Sequence, residues 1–131
     1  VKHRFIVLVC GGRDFTDRRL LYRVLDAVHA DTPISRLVQG YARGADRLAH
    51  NWAVSRRVVS TGRRYEVTPI MWAELGKQAG YLRNKRMRDD EQPHLVIAFP
   101  GNIGTPMMID LAHEAGIEVL TVARDGSLRS K

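Results

Sequence analysis

An α/β fold, with helices on both faces of a mostly parallel sheet, is predicted by three features of this 131-residue chain. Short apolar runs alternate with stretches of helical period along its whole length. The two most apolar runs, Arg4–Cys10 (RFIVLVC) and Leu95–Phe99 (LVIAF), are unbroken and rich in β-branched residues, as strands buried on both faces require. Each is followed by a glycine-bearing loop and then by a residue suited to capping a helix.

Arg4–Cys10 reads as a first central strand that ends at Gly11-Gly12-Arg13-Asp14. Thr16 or Asp17 then caps a helix whose apolar positions Leu21, Val24, Leu25 and Val28 keep helical spacing. After the connector Asp31-Thr32-Pro33, Arg36–Gln39 is a second short strand, followed by the loop Gly40-Tyr41-Ala42-Arg43-Gly44. A second helix starts near Ala45-Asp46, with Leu48, Ala49, Trp52 and Ala53 on one side. Ser55–Arg64 is polar and basic, and Tyr65–Ile70 reads as a third strand, with Pro69 placing it at an edge or a strand end. Trp72–Gly80 is less regular, and Tyr81–Asp90 is expected to be helical. Leu95–Phe99 is the fourth strand and Glu118–Ala123 the fifth. Between them, Thr105 can cap a helix with Pro106 at its first position, and Gly116 can end it. Residues 1–124 are expected to form one domain and residues 125–131 a flexible tail.

This alternation implies a Rossmann-like three-layer sandwich with a five-stranded sheet, of expected order 3-2-1-4-5. In such sheets ligands sit beyond the carboxyl ends of the strands, where the strand order reverses. With strands 1 and 4 adjacent, the loops Gly11–Asp14 and Pro100–Thr105 would face each other across one crevice. A strand, a glycine loop and a new helix N-terminus offer free N–H groups and a positive dipole end, which suits phosphate. The expected ligand-binding set is Gly11, Gly12 and Arg13 from the first loop, and Gly40, Gly44 and Asp46 from the second. Arg83 and Asn84 join it after the glycine-bounded turn at 76–80, as do Pro100, Gly101, Asn102, Gly104 and Thr105 from the last loop.

Composition narrows the classes. A charge of +7, from 21 Lys and Arg against 14 Asp and Glu, with a pI near 10.2, favours phosphorylated ligands or nucleic acid. No apolar stretch approaches membrane-spanning length, and the start shows no signal-peptide h-region. The single cysteine, Cys10, excludes an internal disulfide and suits a reducing, cytoplasmic setting. The five histidines lack zinc-ligand spacing, so no metal site is expected. There is no GxGxxG, Walker A or G-x-S-x-G signature, and no cofactor is read from the sequence.

Four stretches together, GGRDFTD at 11–17, GYARGADRLA at 40–49, GKQAGYLRNKRM at 76–87 and FPGNIGT at 99–105, resemble the SLOG superfamily. That Rossmann-like group contains the DprA/Smf and lonely-guy proteins, and the closer similarity is to its YspA-like branch. The resemblance spans Arg4 to Ala123. It implies a site for a nucleotide or nucleotide-derived ligand, with phosphate on the last glycine loop. In the lonely-guy branch the motif is PGGxGTxxE beside an upstream arginine, and those enzymes release a base from a nucleoside monophosphate. Arg83, four residues before Met87, falls where that arginine would be. Asn102, however, replaces the second glycine and Met108 the glutamate. Met107 occupies the position where the YspA-like branch often carries an acid, and Asp110 points elsewhere.

Three functions are therefore weighed. The first is a nucleotide-binding module, a sensor or a protein that sequesters a phosphorylated ligand. The second is a nucleotide phosphoribohydrolase or N-glycosidase with a relocated carboxylate, in which Arg83, Asp14 and Asp46 would be catalytic. The third is DprA-like nucleic-acid binding, motivated by the charge. No membrane partner is expected, and homo-oligomerisation is.

Overall fold

The structure, a computed structural model, describes residues 4–101 and 104–130. Its sheet has the order β3-β2-β1-β4-β5-β6, formed by β1 (Ile6–Cys10), β2 (Arg36–Val38), β3 (Val59–Thr61), β4 (Leu95–Ala98), β5 (Glu118–Val122) and β6 (Leu128–Ser130). The first five strands are parallel, and β6 pairs antiparallel with β5. The expected 3-2-1-4-5 order is present, extended by one strand where the sequence suggests a loose tail. Leu120, Thr121 and Val122 pair with Ser130, Arg129 and Leu128.

Alternation along the central strands builds two cores. Val7, Val9 and Ile97 face Leu21, Leu25, Trp52 and Phe99, under α1 (Arg18–Asp31) and α2 (Ala45–Ser55). Ile6, Leu8 and Val96 face Met87, Met108 and Leu111, under α4 (Lys77–Glu91) and α5 (Gly104–Glu114). Because both faces are covered, these strands are apolar at every position rather than at alternate ones. Asp17 is the cap of α1, its carboxylate accepting from the Leu20 N–H at 3.1 Å.

One expected strand is corrected. Tyr65–Ile70 is not a strand: Arg63–Tyr65 is a 3₁₀ turn and Pro69 opens a short helix, α3 (Pro69–Leu75). Thr68 caps that helix by accepting from the Met71 N–H, with Pro69 at the start, where a missing N–H costs nothing. The third strand lies six residues earlier, at Val59–Thr61, inside the segment that reads in sequence only as polar and basic. It is a three-residue edge strand with Val59 exposed, so it carries no apolar pattern. The stretch 72–80, less regular in sequence, holds the end of α3 and the start of α4, joined at Gly76.

Candidate functional site

Strands β1 and β4 are neighbours, so their loops meet as expected, but the contact is between the loops themselves. The Gly12 N–H donates to the Pro100 carbonyl at 2.9 Å. A Cβ on Gly12 would lie 3.0 Å from Pro100 O and 3.1 Å from Gly101 Cα. A Cβ on Gly101 would fall on Thr105 Oγ1 and 2.7 Å from the Gly12 nitrogen. These glycines let two backbones touch; the Gly12 amide faces protein and not a guest.

The second loop also satisfies its own amides. Asp46 is buried, and its Oδ2 accepts from Gly40 N at 3.1 Å and Ala42 N at 3.2 Å. The intervening Tyr41 N–H donates to Gln39 Oε1 at 2.6 Å, with Tyr41 in the left-handed region at φ 61°. The Ala45 N–H, at the start of α2, donates to the Gly12 carbonyl, and Gly44, at φ 82°, fits against that same loop. Asp46 thus clamps the loop. Gly44 joins it to the first.

A cavity of about 300 Å³ remains beyond the end of β1, between α4 and the start of α5. Gly11, Arg13, Gly40, Asp46, Arg83, Asn84, Gly104 and Thr105 line it, eight of the residues expected from sequence. Gly12, Gly44, Pro100 and Gly101 do not; they pack loop on loop. Asp14 points outward, its side chain 91% exposed and paired with Arg43 at 3.4 Å. Asn102 lies outside the described residues. Sequence reasoning did not select Lys77, Met87 or Met107, which also line the cavity. The signal for two of them is in α4, where Lys77, Gly80, Arg83, Asn84 and Met87 recur at helical spacing.

Arg83 is the fixed cation of the cavity. Its Nη1 donates to the Gly40 carbonyl at 2.9 Å and its Nε to Asn84 Oδ1 at 2.8 Å. Asn84 Nδ2 reaches the Gly104 carbonyl at 3.5 Å, tying α4 to the start of α5. A Cβ on Gly40 would fall on the Arg83 guanidinium, so any larger residue there must displace that side chain from its bond to the Gly40 carbonyl. Burial draws the Arg83 pKa down, opposed by the Asp46 carboxylate. Burial likewise raises Asp46 to about 6, against the pull of Arg83 and the two backbone N–H groups. Cys10, also on the cavity wall, has its thiol pushed up by burial and by Asp46, which keeps it protonated and unreactive. Trp72 closes one side under the Arg13 guanidinium, 4.9 Å from the ring centroid.

Chemically, the cavity combines Arg13, Lys77 and Arg83 with the first turn of α5, whose leading amides have no intrahelical partner. Its apolar wall is Val9, Met87, Met107 and Trp72. Residues 5–67 match the family model described as YspA, cpYpsA-related SLOG family. The Gene 61 protein of Mycobacterium phage D29 is 34% identical over 120 residues, covering 87% of this chain and 93% of that protein. The chain belongs to the YspA, cpYpsA-related SLOG family.

Its fold is also that of a solved structure, described as the molybdenum cofactor binding protein from the phototrophic bacterium Rippkaea orientalis. The two share 18% identity at a TM-score of 0.64, over 95% of this chain and 80% of the other. In this SLOG protein the position of the lonely-guy glutamate, Met108, is fully buried in the core. Met107, one residue earlier, is the side chain on the cavity wall. Neither can ionise, and Asp46 is the one carboxylate among the described residues lining the cavity. No helix among the described residues is long and apolar enough to cross a membrane.

Proposed function

We propose that this SLOG protein binds a nucleotide or nucleotide-derived phosphorylated ligand in the cavity beyond β1, as a sensor or sequestering module. The observation that carries this reading is Arg83, fixed by Gly40 and Asn84 beside the N-terminal turn of α5. A phosphate between them would receive a guanidinium and helix-start amides together. The ring of the ligand would lie against Trp72, Met87 and Met107, in a volume at the lower end of that typical for small-molecule sites. The similar structure described as binding molybdenum cofactor adds that compound to the candidates. Thermal-shift titration with nucleoside monophosphates, ADP-ribose, cyclic nucleotides and molybdenum cofactor tests the reading. Stabilisation by at least one of them, lost in Arg83→Gln, is expected; no stabilisation by any would refute it.

Hydrolysis of an N-glycosidic bond is the second reading, favoured by one observation: Asp46 lies in the cavity with a pKa of about 6, suited to acid–base work. Its Oδ2 is already engaged by two backbone N–H groups, which favours the clamp role. Release of free base in nucleotide incubations, abolished in Asp46→Asn, would establish turnover. The expected homo-oligomer finds support in Ile70, Leu75, Tyr81 and Leu82, exposed apolar residues of α3 and α4. Light scattering of the purified chain tests it: a monomer at all concentrations would exclude it. A cavity of about 300 Å³ is too small for a duplex, and with a charge of +7 only weak binding to DNA that fades at physiological salt is expected.

A further inference from the structure

A second cavity of about 340 Å³ adjoins the first and shares Arg13, Gly40, Ala42, Trp72 and Arg83 with it. Its own wall adds Tyr41, Arg43, Arg47 and Glu66. We propose that this is a second anionic subsite, and that the ligand is a nucleotide bearing a pyrophosphate whose far phosphate lies there. The inference rests on the reading of the first cavity given above.

Arg47 is the residue that makes this a built site. Its Nε donates to the Tyr41 carbonyl at 3.1 Å and its guanidinium stacks 4.0 Å from the Tyr41 ring centroid. The guanidinium is therefore held in place before any ligand arrives, while its Nη groups make no other hydrogen bond among the described residues. Tyr41 is itself fixed in a left-handed conformation, strained for a non-glycine residue. The bonds from Gly40, Tyr41 and Ala42 to Asp46 and Gln39 hold it there. Four arginines line the second cavity against one carboxylate, Glu66; Asp14 occupies part of Arg43 from outside. Arg13, over Trp72, belongs to both cavities and is placed to bridge two phosphates. A monophosphate held at Arg83 would leave the Arg47 Nη groups unused. A pyrophosphate would not.

Calorimetric titration of the full chain with AMP, ADP and ADP-ribose tests this, using wild type and Arg47→Gln. ADP and ADP-ribose are expected to bind about tenfold tighter than AMP, the gain of one further charge-assisted pair. Arg47 does not line the first cavity, so Arg47→Gln should erase that preference and leave AMP affinity unchanged. Equal binding of AMP and ADP, or a uniform loss in Arg47→Gln, would overturn the second subsite while leaving the first intact. Failure of wild type to bind ADP or ADP-ribose would overturn the pyrophosphate subsite, while the first cavity stands or falls on the wider ligand panel given above. Circular dichroism of Arg47→Gln, an exposed position, confirms that folding is not the variable.

Discussion

Asp46 is a buried carboxyl that the loop needs and that its burial disfavours when charged, so its stability effect has a predictable sign. Its pKa rises from an ordinary 3.8 to about 6, chiefly through burial. The native protein therefore holds the Asp46 proton more tightly than the unfolded chain does. Its contribution is fully present below pH 3.8, declines as pH rises, and is lost above about pH 6. At about 1.4 kcal/mol per tenfold change in proton affinity, the loss across that window is about 3 kcal/mol. Asp46→Asn removes the titration yet keeps the clamp, because one oxygen already accepts both the Gly40 and Ala42 N–H groups. Urea denaturation of both proteins between pH 4 and pH 7 reads the difference directly. The variant should gain about 2 kcal/mol relative to wild type between pH 4 and pH 7, because the unfolded carboxyl is already partly ionised at pH 4. Asp26, held low by Arg56 and Trp52, titrates below this range with the opposite slope, and it cancels in the comparison. Parallel stability profiles for the two proteins would refute the argument.

Other outcomes follow from the same geometry. Arg83→Gln should weaken any phosphorylated ligand at least tenfold, since a hydrogen bond to a charged group contributes about 1.5–3 kcal/mol, checked by calorimetry. Gly40→Ala places a methyl group on the Arg83 guanidinium and should cost about 1–3 kcal/mol of stability by denaturation, together with ligand binding. A Cβ on Gly104 meets open space, so Gly104→Ala should be neutral or stabilising by up to about 1 kcal/mol at that helix position. ADP-ribose, whose pyrophosphate does not titrate near neutrality, should bind more tightly below pH 6 than above it, because protonating Asp46 removes a negative charge near Arg83. Asp46→Asn should flatten that profile.

Much of this architecture is written locally. The unbroken runs at Arg4–Cys10 and Leu95–Phe99 read as doubly covered strands, and their pairing brings the loops that follow them together. The edge strand Val59–Thr61 was illegible because a short exposed strand buries too little to need an apolar pattern. Pro69 reads in sequence as a strand end because β-formers surround it, whereas Thr68 in fact caps a helix that Pro69 opens. The site was legible in outline only. A glycine loop looks the same in sequence whether its amides face a ligand, as expected for Gly12, or a neighbouring carbonyl, as found. Asp46, weighed between ligand contact and helix-dipole preference, is placed by tertiary hydrogen bonds to Gly40 and Ala42 that spacing alone does not specify. The stacking of Arg47 on Tyr41 depends on a left-handed residue that is not glycine, which composition gives no reason to expect.

The most direct test is a nitrogen-15 NMR titration of the labelled chain with ADP, carried to millimolar concentrations. Shifts should concentrate on the amides of Gly104 and Thr105 and on Arg83 Nη2, the guanidinium nitrogen not bonded to Gly40 or Asn84, with the amides of Gly12 and Gly40, already bonded within the protein, far less affected. An unchanged spectrum, or shifts confined to another face of the sheet, would contradict the assignment of this cavity.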